Sequence, residues 1–229
     1  MDIDYTPYFE RYERLSALAD DLFSRIAKDS PECVACKPFC SDCCHAIFDL
    51  TFIEALYIHH KFHENFSGSI REAILEKANR ADREVYRLKR AAFKSVASGE
   101  MTESQVLENL GKERVRCPLL NDRDMCDLYD YRPITCRLYG VPTVIKGRAH
   151  VCGASAFKVG EKCQSVNIDG FQNRLTELSQ TFAMDIRSKY KLSDLLVPVS
   201  MALLTDYDES YLGLRKTEEE TQSAERSNP

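Results

Sequence analysis

The stretch "CVACKPFCSDCCH", residues 33–45, holds five cysteines in thirteen residues, and Cys43 and Cys44 are adjacent. Such a segment is organised by its thiols. They serve as disulfides, as metal ligands or as redox groups. A second set, Cys117, Cys126, Cys136, Cys152 and Cys163, lies far downstream in a loop-rich region with prolines and a turn at Asn121-Asp122. Between and around the two sets the chain reads as helix.

"TPYFERYERLSALADDLFSRIAKDS" predicts a helix with Thr6 as N-cap and Pro7 at the first helical position. Phe9, Tyr12, Leu15, Ala19, Leu22, Phe23 and Ile26 recur at helical spacing on its apolar face. "HAIFDL" is an extended exit from the cysteine loop. Thr51 and Glu54 form a capping-box pair that opens a short helix. A long helix follows from about Ser69 to about Ser98, with Ile74, Ala78, Ala81, Val85, Leu88 and Ala92 as a seam for a neighbouring helix. Thr102 and Gln105 cap another helix, and Asp169 with Gln172 cap a later one. "SDLLVPVSMALL" (193–204) reads as a further helix shaped by Pro198. A hairpin is expected around Lys146-Gly147. The expectation is a mainly α fold: a helical scaffold with irregular loops and a small hairpin around a cysteine-ligated metal site. One domain covers 1–214, its site formed by segments 33–45 and 117–163, and a disordered tail covers 215–229.

A net charge of −5 disfavours coating nucleic acid or an anionic membrane. No apolar run approaches the roughly 20 residues of a membrane helix. The acidic, amphipathic N-terminus lacks the basic start and apolar block of a secretory signal, which points to the cytoplasm. In a reducing cytosol ten cysteines are not five structural disulfides, so ligands or catalytic thiols are the expected use.

Spacing then narrows the chemistry. Cys36-x3-Cys40-x2-Cys43 resembles iron–sulfur spacing, in which three ligands on one loop take three corners of a cubane. Cys33-x2-Cys36 and Cys40-x2-Cys43 equally suit zinc knuckles. Neighbouring side chains diverge, so Cys43 and Cys44 fit two irons of a cluster or two centres better than one tetrahedral ion. The other reading of the pair is one ligand and one reactive or buried thiol. Cys33 and Cys163, at the margins, are equally well explained as core cysteines.

"CKPFCSDCCHAIFDLTFIEALYI" (36–58), followed by "CPLL" (117–120) and "CDLYDYRPITCRLYG" (126–140), resembles the CxxCxxCC family. These are bacterial and archaeal cysteine-cluster proteins described as zinc- or iron-chelating domains. The resemblance runs from about Cys33 to Cys152. It implies metal ligation by Cys36, Cys40, Cys43, Cys44, Cys117, Cys126 and Cys136, with Cys152 as the eighth. The chain departs from the family name by one residue, since three residues separate Cys36 from Cys40. Flagellin lysine N-methylase carries a distantly similar cysteine cluster, but no methyl-donor motif is present here. Eight thiols suffice for two four-ligand centres or one larger cluster. Iron–sulfur, as one or two 4Fe-4S clusters, is the first expectation, with a redox or protein-modifying role. A zinc-braced interaction module without chemistry is the alternative. A thiol oxidoreductase using Cys43-Cys44 fits less well, because such enzymes use one C-x-x-C pair on a thioredoxin-like fold.

Other residues are secondary. Arg132 and Arg137 are expected to donate charge-assisted hydrogen bonds to the cluster or to bind a substrate carboxylate, or else to pair with Glu54 or a nearby aspartate. His45 and His150 lie beside ligand cysteines, and His59 and His63 share a helix face at i, i+4. Both sets read as bystanders. Arg80, Arg83, Arg87, Arg90 and Lys94 form a basic stripe on the long helix, a candidate face for a redox or protein partner. No stacking aromatics are expected within it, which disfavours nucleic acid.

Overall fold

A computed structural model describes residues 3–37, 39–158, 160 and 162–214. The expected tail at 215–229 lies outside these described residues. Helix α1 spans Thr6–Asp29 and buries Phe9, Tyr12, Ala19 and Ile26, four members of the expected face. Its N-cap is Tyr5 rather than Thr6, whose N–H instead donates to the Asp4 Oδ1 at 2.9 Å. The short strand β1 (Asp49–Thr51) leads into α2 (Phe52–Asn65). Every side chain from Phe52 to Ile58 is buried, so α2 is the central rod and has no solvent face in its first turns.

Gly68 opens α3, Gly68–Ala97, at a left-handed φ of 55°. Ile74, Ala78, Ala81 and Val85 bury the first part of the expected seam, while Leu88 and Ala92 are only half-buried. The far half of α3 is therefore more exposed than the first. Tyr86 and Phe93 are exposed there among Arg87, Arg90 and Lys94, so aromatic side chains do interleave with the basic stripe, contrary to expectation. Helix spacing alone explains this: Tyr86 and Arg90 are four apart and Arg90 and Phe93 three apart, on one surface. α4 (Glu103–Lys112) has the expected Thr102/Gln105 capping box.

The second half contains α5 (Ile134–Leu138), the β2 (Thr143–Ile145) and β3 (Arg148–His150) hairpin, β4 (Val166–Asn167) and α6 (Ile168–Asp185). β4 adds to the hairpin in parallel, giving the order β3-β2-β4. The cap of α6 is Asn167, whose side chain accepts from the Asp169 N–H, so the cap lies two residues ahead of the expected Asp169. The single helix expected over 193–204 is instead β5 (Leu196–Pro198) followed by α7 (Val199–Leu204). Antiparallel pairing with β1, Leu50 opposite Val197, wins over local helix propensity there. α8 (Glu209–Leu212) closes the described chain.

The architecture is mainly α, with eight helices and two small sheets among the described residues. The main cluster of buried apolar side chains draws on α1, α2, α6 and α7 and on Leu119, Leu128, Ile134, Leu138 and Val141 from the second cysteine region. No helix of the described residues is long and apolar enough to cross a membrane.

Candidate metal centre

Backbone pairing joins the two cysteine-bearing segments. The Cys117 N–H donates to the Cys44 carbonyl at 2.7 Å and the Val115 N–H to the His45 carbonyl at 3.0 Å. Ala46 and Arg114 bridge antiparallel. The loop after Cys117 turns back on itself, Leu120 bridging to Cys126. A third piece docks where the Ala156 N–H donates to the Cys33 carbonyl at 2.9 Å.

These contacts surround a cavity of about 420 Å³ walled by Cys36, Cys40, Cys43, Cys44, Cys117, Cys126 and Cys136. Apolar groups such as Ile58, Val115 and Leu128 complete its inner side. Cys152 is not on this wall; its Sγ lies 3.6 Å from the Asp42 Oδ2. Cys33 is half-buried and packs against the core, and Cys163 is exposed. His45 and His150 are also absent from the wall. His45 places Nδ1 3.0 Å from the Ser41 carbonyl oxygen, and His150 is exposed on β3.

None of the ten cysteines is in a disulfide. Cys43 and Cys44 have sulfurs 4.0 Å apart. Among the described residues, no three His, Cys, Asp or Glu side chains converge into a ready coordination shell. The thiols instead stand as neighbours around the cavity. Their electrostatics record that proximity. Cys43 is pushed toward its thiolate because Cys136 and Cys44 donate to it, with Arg132 adding positive charge. Cys136 and Cys44 are correspondingly pushed up, first by that bond and then by burial. Burial also raises Cys117 to about 12 and Cys126 to about 11. Cys36 is exposed as a residue, yet its sulfur faces the cavity, and burial followed by the charges of Cys40 and Cys152 raises it to about 12. Crowded thiols that resist ionising together are what a thiophilic cation relieves: it takes their protons' place and removes the mutual repulsion. The donor set therefore fits a metal group.

Two supports position this wall. Glu54 is buried, and burial raises its carboxyl above the usual range. Its Oε2 accepts from the Thr51 N–H at 3.1 Å and the Thr51 hydroxyl at 2.9 Å, while Oε1 accepts from the Ile134 N–H at 3.1 Å. One carboxylate thus ties the start of α2 to the start of α5, which carries Cys136. Arg137 is buried beside Cys136. It pairs with Asp20 of α1 and donates from Nε to the Arg132 carbonyl at 2.8 Å and from Nη2 to the Asp130 carbonyl. Arg132 lies over the Tyr129 ring at 4.0 Å, donates to the Tyr129 carbonyl at 3.0 Å and reaches Asp20 at 3.5 Å. Both guanidiniums line the cavity while bonded to a carboxylate and to carbonyls, and Arg132 also lends its charge to Cys43 and Cys126.

Gly140 and Asp20 escape sequence reasoning. At Gly140, φ is 146° and a Cβ would collide with the Cys36 Sγ. The only sequence signal is a glycine directly after the cysteine block. Asp20 has no local signal, since the ion pairs form across 112 and 117 residues of chain.

Helices that hold a thiol-walled cavity, with no disulfide among the cysteines, define a cysteine-rich metal-chelating protein. The chain belongs to the CxxCxxCC family, described as a "putative zinc- or iron-chelating domain", whose model matches residues 35–153. No curated protein and no solved structure matches the chain.

Proposed function

We propose that this protein is an iron–sulfur protein with a redox or protein-modifying role, its cluster held by Cys36, Cys40, Cys43, Cys44, Cys117, Cys126, Cys136 and Cys152. The observation that carries this reading is the cavity: seven thiols around about 420 Å³. A single ion with thiolates at about 2.3 Å fills a small part of such a space. A bound cluster would supply one-electron chemistry, and the apolar inner wall would keep water from it. Arg132 and Arg137 would offset the negative charge of thiolates and cluster. Ten cysteines with no disulfide among them favour a reducing compartment such as the cytoplasm. A redox or protein partner would meet the basic face from Arg80 to Lys94 on α3.

The alternative is a zinc brace on the same thiols, since the donors around the cavity are sulfurs and four thiolates satisfy a tetrahedral zinc ion. Anaerobic purification followed by visible absorption and by Fe, Zn and acid-labile sulfide analysis separates the two. A brown protein with iron and sulfide in equal amounts is expected. A colourless protein with stoichiometric zinc sinks the iron–sulfur reading and leaves the zinc brace.

A further inference from the structure

The two faces of α3 have different surroundings. Ala81 and Val85, on the inner face, line the thiol cavity itself. Charged groups beside that face are tied to the body: Lys89 pairs with Asp49, and the Ser200 hydroxyl of α7 donates to Asp82. At about 100° per residue, Arg83 and Arg87 stand on the far side of the helix from Val85. Arg80, Arg90 and Lys94 continue that outer row, and all five cations are exposed. Among the described residues none of the five is in an ion pair. The row runs for about 21 Å along the helix axis. Tyr86 and Phe93 flank it with 62% and 73% exposure. Tyr86, Arg87, Arg90, Ala91 and Lys94 also line a surface hollow.

Cations without counter-charges attract carboxylates, and the three around the hollow can hold one between them. The chain carries a net charge of −5, so the remainder of the molecule is more acidic still. An extended polyanion such as nucleic acid would run off the row onto surface that repels it. A compact protein with a local acidic patch would not. The exposed rings beside the cations supply the apolar anchors of a protein interface. Position matters as much as charge. A partner on the outer face is separated from the cavity lining by α3 alone, about 10–12 Å across with its side chains. That arrangement suits a carrier that exchanges one electron and leaves, since such complexes are small and electrostatically steered. We propose that the outer face of α3, from Arg80 to Lys94, docks an acidic one-electron carrier protein, its carboxylates on the cations and its apolar side chains on Tyr86 and Phe93. This rests on the redox reading above.

A plant-type 2Fe-2S ferredoxin, an acidic one-electron carrier, is the probe. Its affinity for the full chain, purified anaerobically, is measured by fluorescence anisotropy. Wild type is expected to bind it, with Kd rising about tenfold or more between about 20 and about 200 mM NaCl. Arg87→Glu with Arg90→Glu should weaken low-salt binding about tenfold or more, and Arg87→Gln with Arg90→Gln by less. Tyr86→Ala with Phe93→Ala should weaken it roughly fivefold at both salt concentrations, because apolar contacts are not screened. Circular dichroism checks folding, and should the Glu pair misfold, the Gln pair decides. Wild type that binds the probe no better than the charge-altered chain overturns the proposal. So does an oligo-dT strand that binds this face more tightly than the ferredoxin, or a dimer of this chain that the charge reversal dissolves. Iron and sulfide are counted in the same samples. Their absence overturns the redox reading and the carrier with it, whereas their presence with charge-independent binding overturns the docking face alone.

Discussion

Two regions gather metal-ligating side chains, and they are built in opposite ways. On α2, the rings of His59 and His63 lie 4.3 Å apart because helix geometry puts i and i+4 together. They are otherwise employed: His59 packs at 4.8 Å on Tyr207, and His63 Nδ1 lies 3.3 Å from the Arg71 guanidinium. The thiol cavity has no local periodicity behind it. It is assembled from Cys36, Cys40, Cys43 and Cys44 on one segment and Cys117, Cys126 and Cys136 on another, and its thiols have no disulfide partner. Proximity in sequence made the histidine pair, whereas long-range packing made the cavity. Free donors around a hollow mark a binding site better than a close pair of ligands does.

The comparison breaks most sharply at Asp20. Asp20→Ala strips the buried Arg137 of its carboxylate and should cost about 3 kcal/mol, the lower end for breaking such a pair. Denaturant midpoints read the loss, and metal content should fall with it because Arg137 follows Cys136. Asp20→Asn keeps an acceptor and should recover most of both. Unchanged stability and metal content in Asp20→Ala would detach the cavity from this support.

Gly140→Ala is expected to cost about 2–3 kcal/mol, combining an unfavourable φ with overpacking. Its distinguishing effect is displacement of Cys36, read as reduced metal per chain in a protein that still melts cooperatively. Full metal content would mean that Cys36 is not a ligand or that its sulfur moves freely.

The smallest effect belongs to the histidines. Burial, then the neighbouring His63, lowers His59 from 6.5 to about 4, while the Ala202 carbonyl and Asp206 oppose the shift. The folded state therefore binds fewer protons than the unfolded chain between these values. The stability tied to neutral His59 is complete above about 6.5 and is lost as pH falls toward 4. Allowing for partial exposure, this amounts to about 1–2 kcal/mol. His59→Gln should flatten that acid limb, measured by thermal melts from pH 7 to 4, and leave metal content unchanged. Metal loss in this variant would reverse the contrast between the two regions.

Much of the scaffold was legible beforehand. The seam of α3, the capping boxes at Thr51 and Thr102 and the turn at Lys146-Gly147 are local signals, and each produced its element. The helix expected across 193–204 failed because β1, nearly 150 positions earlier, claims residues 196–198 as a strand. The same limit applied at the site. Cysteine spacing marked the thiols, yet Glu54 turned out to bond Ile134 and Asp20 to take both arginines.

By itself, then, the sequence determined the longer helices and the chemistry of the donors, because helix periodicity, caps and thiol identity are properties of short segments. Tertiary structure alone decided which thiols face one cavity, that Cys152 stands off its wall, and that a glycine must sit against Cys36. Those outcomes depend on backbone pairing between segments far apart in the chain, and no local pattern encodes such pairing.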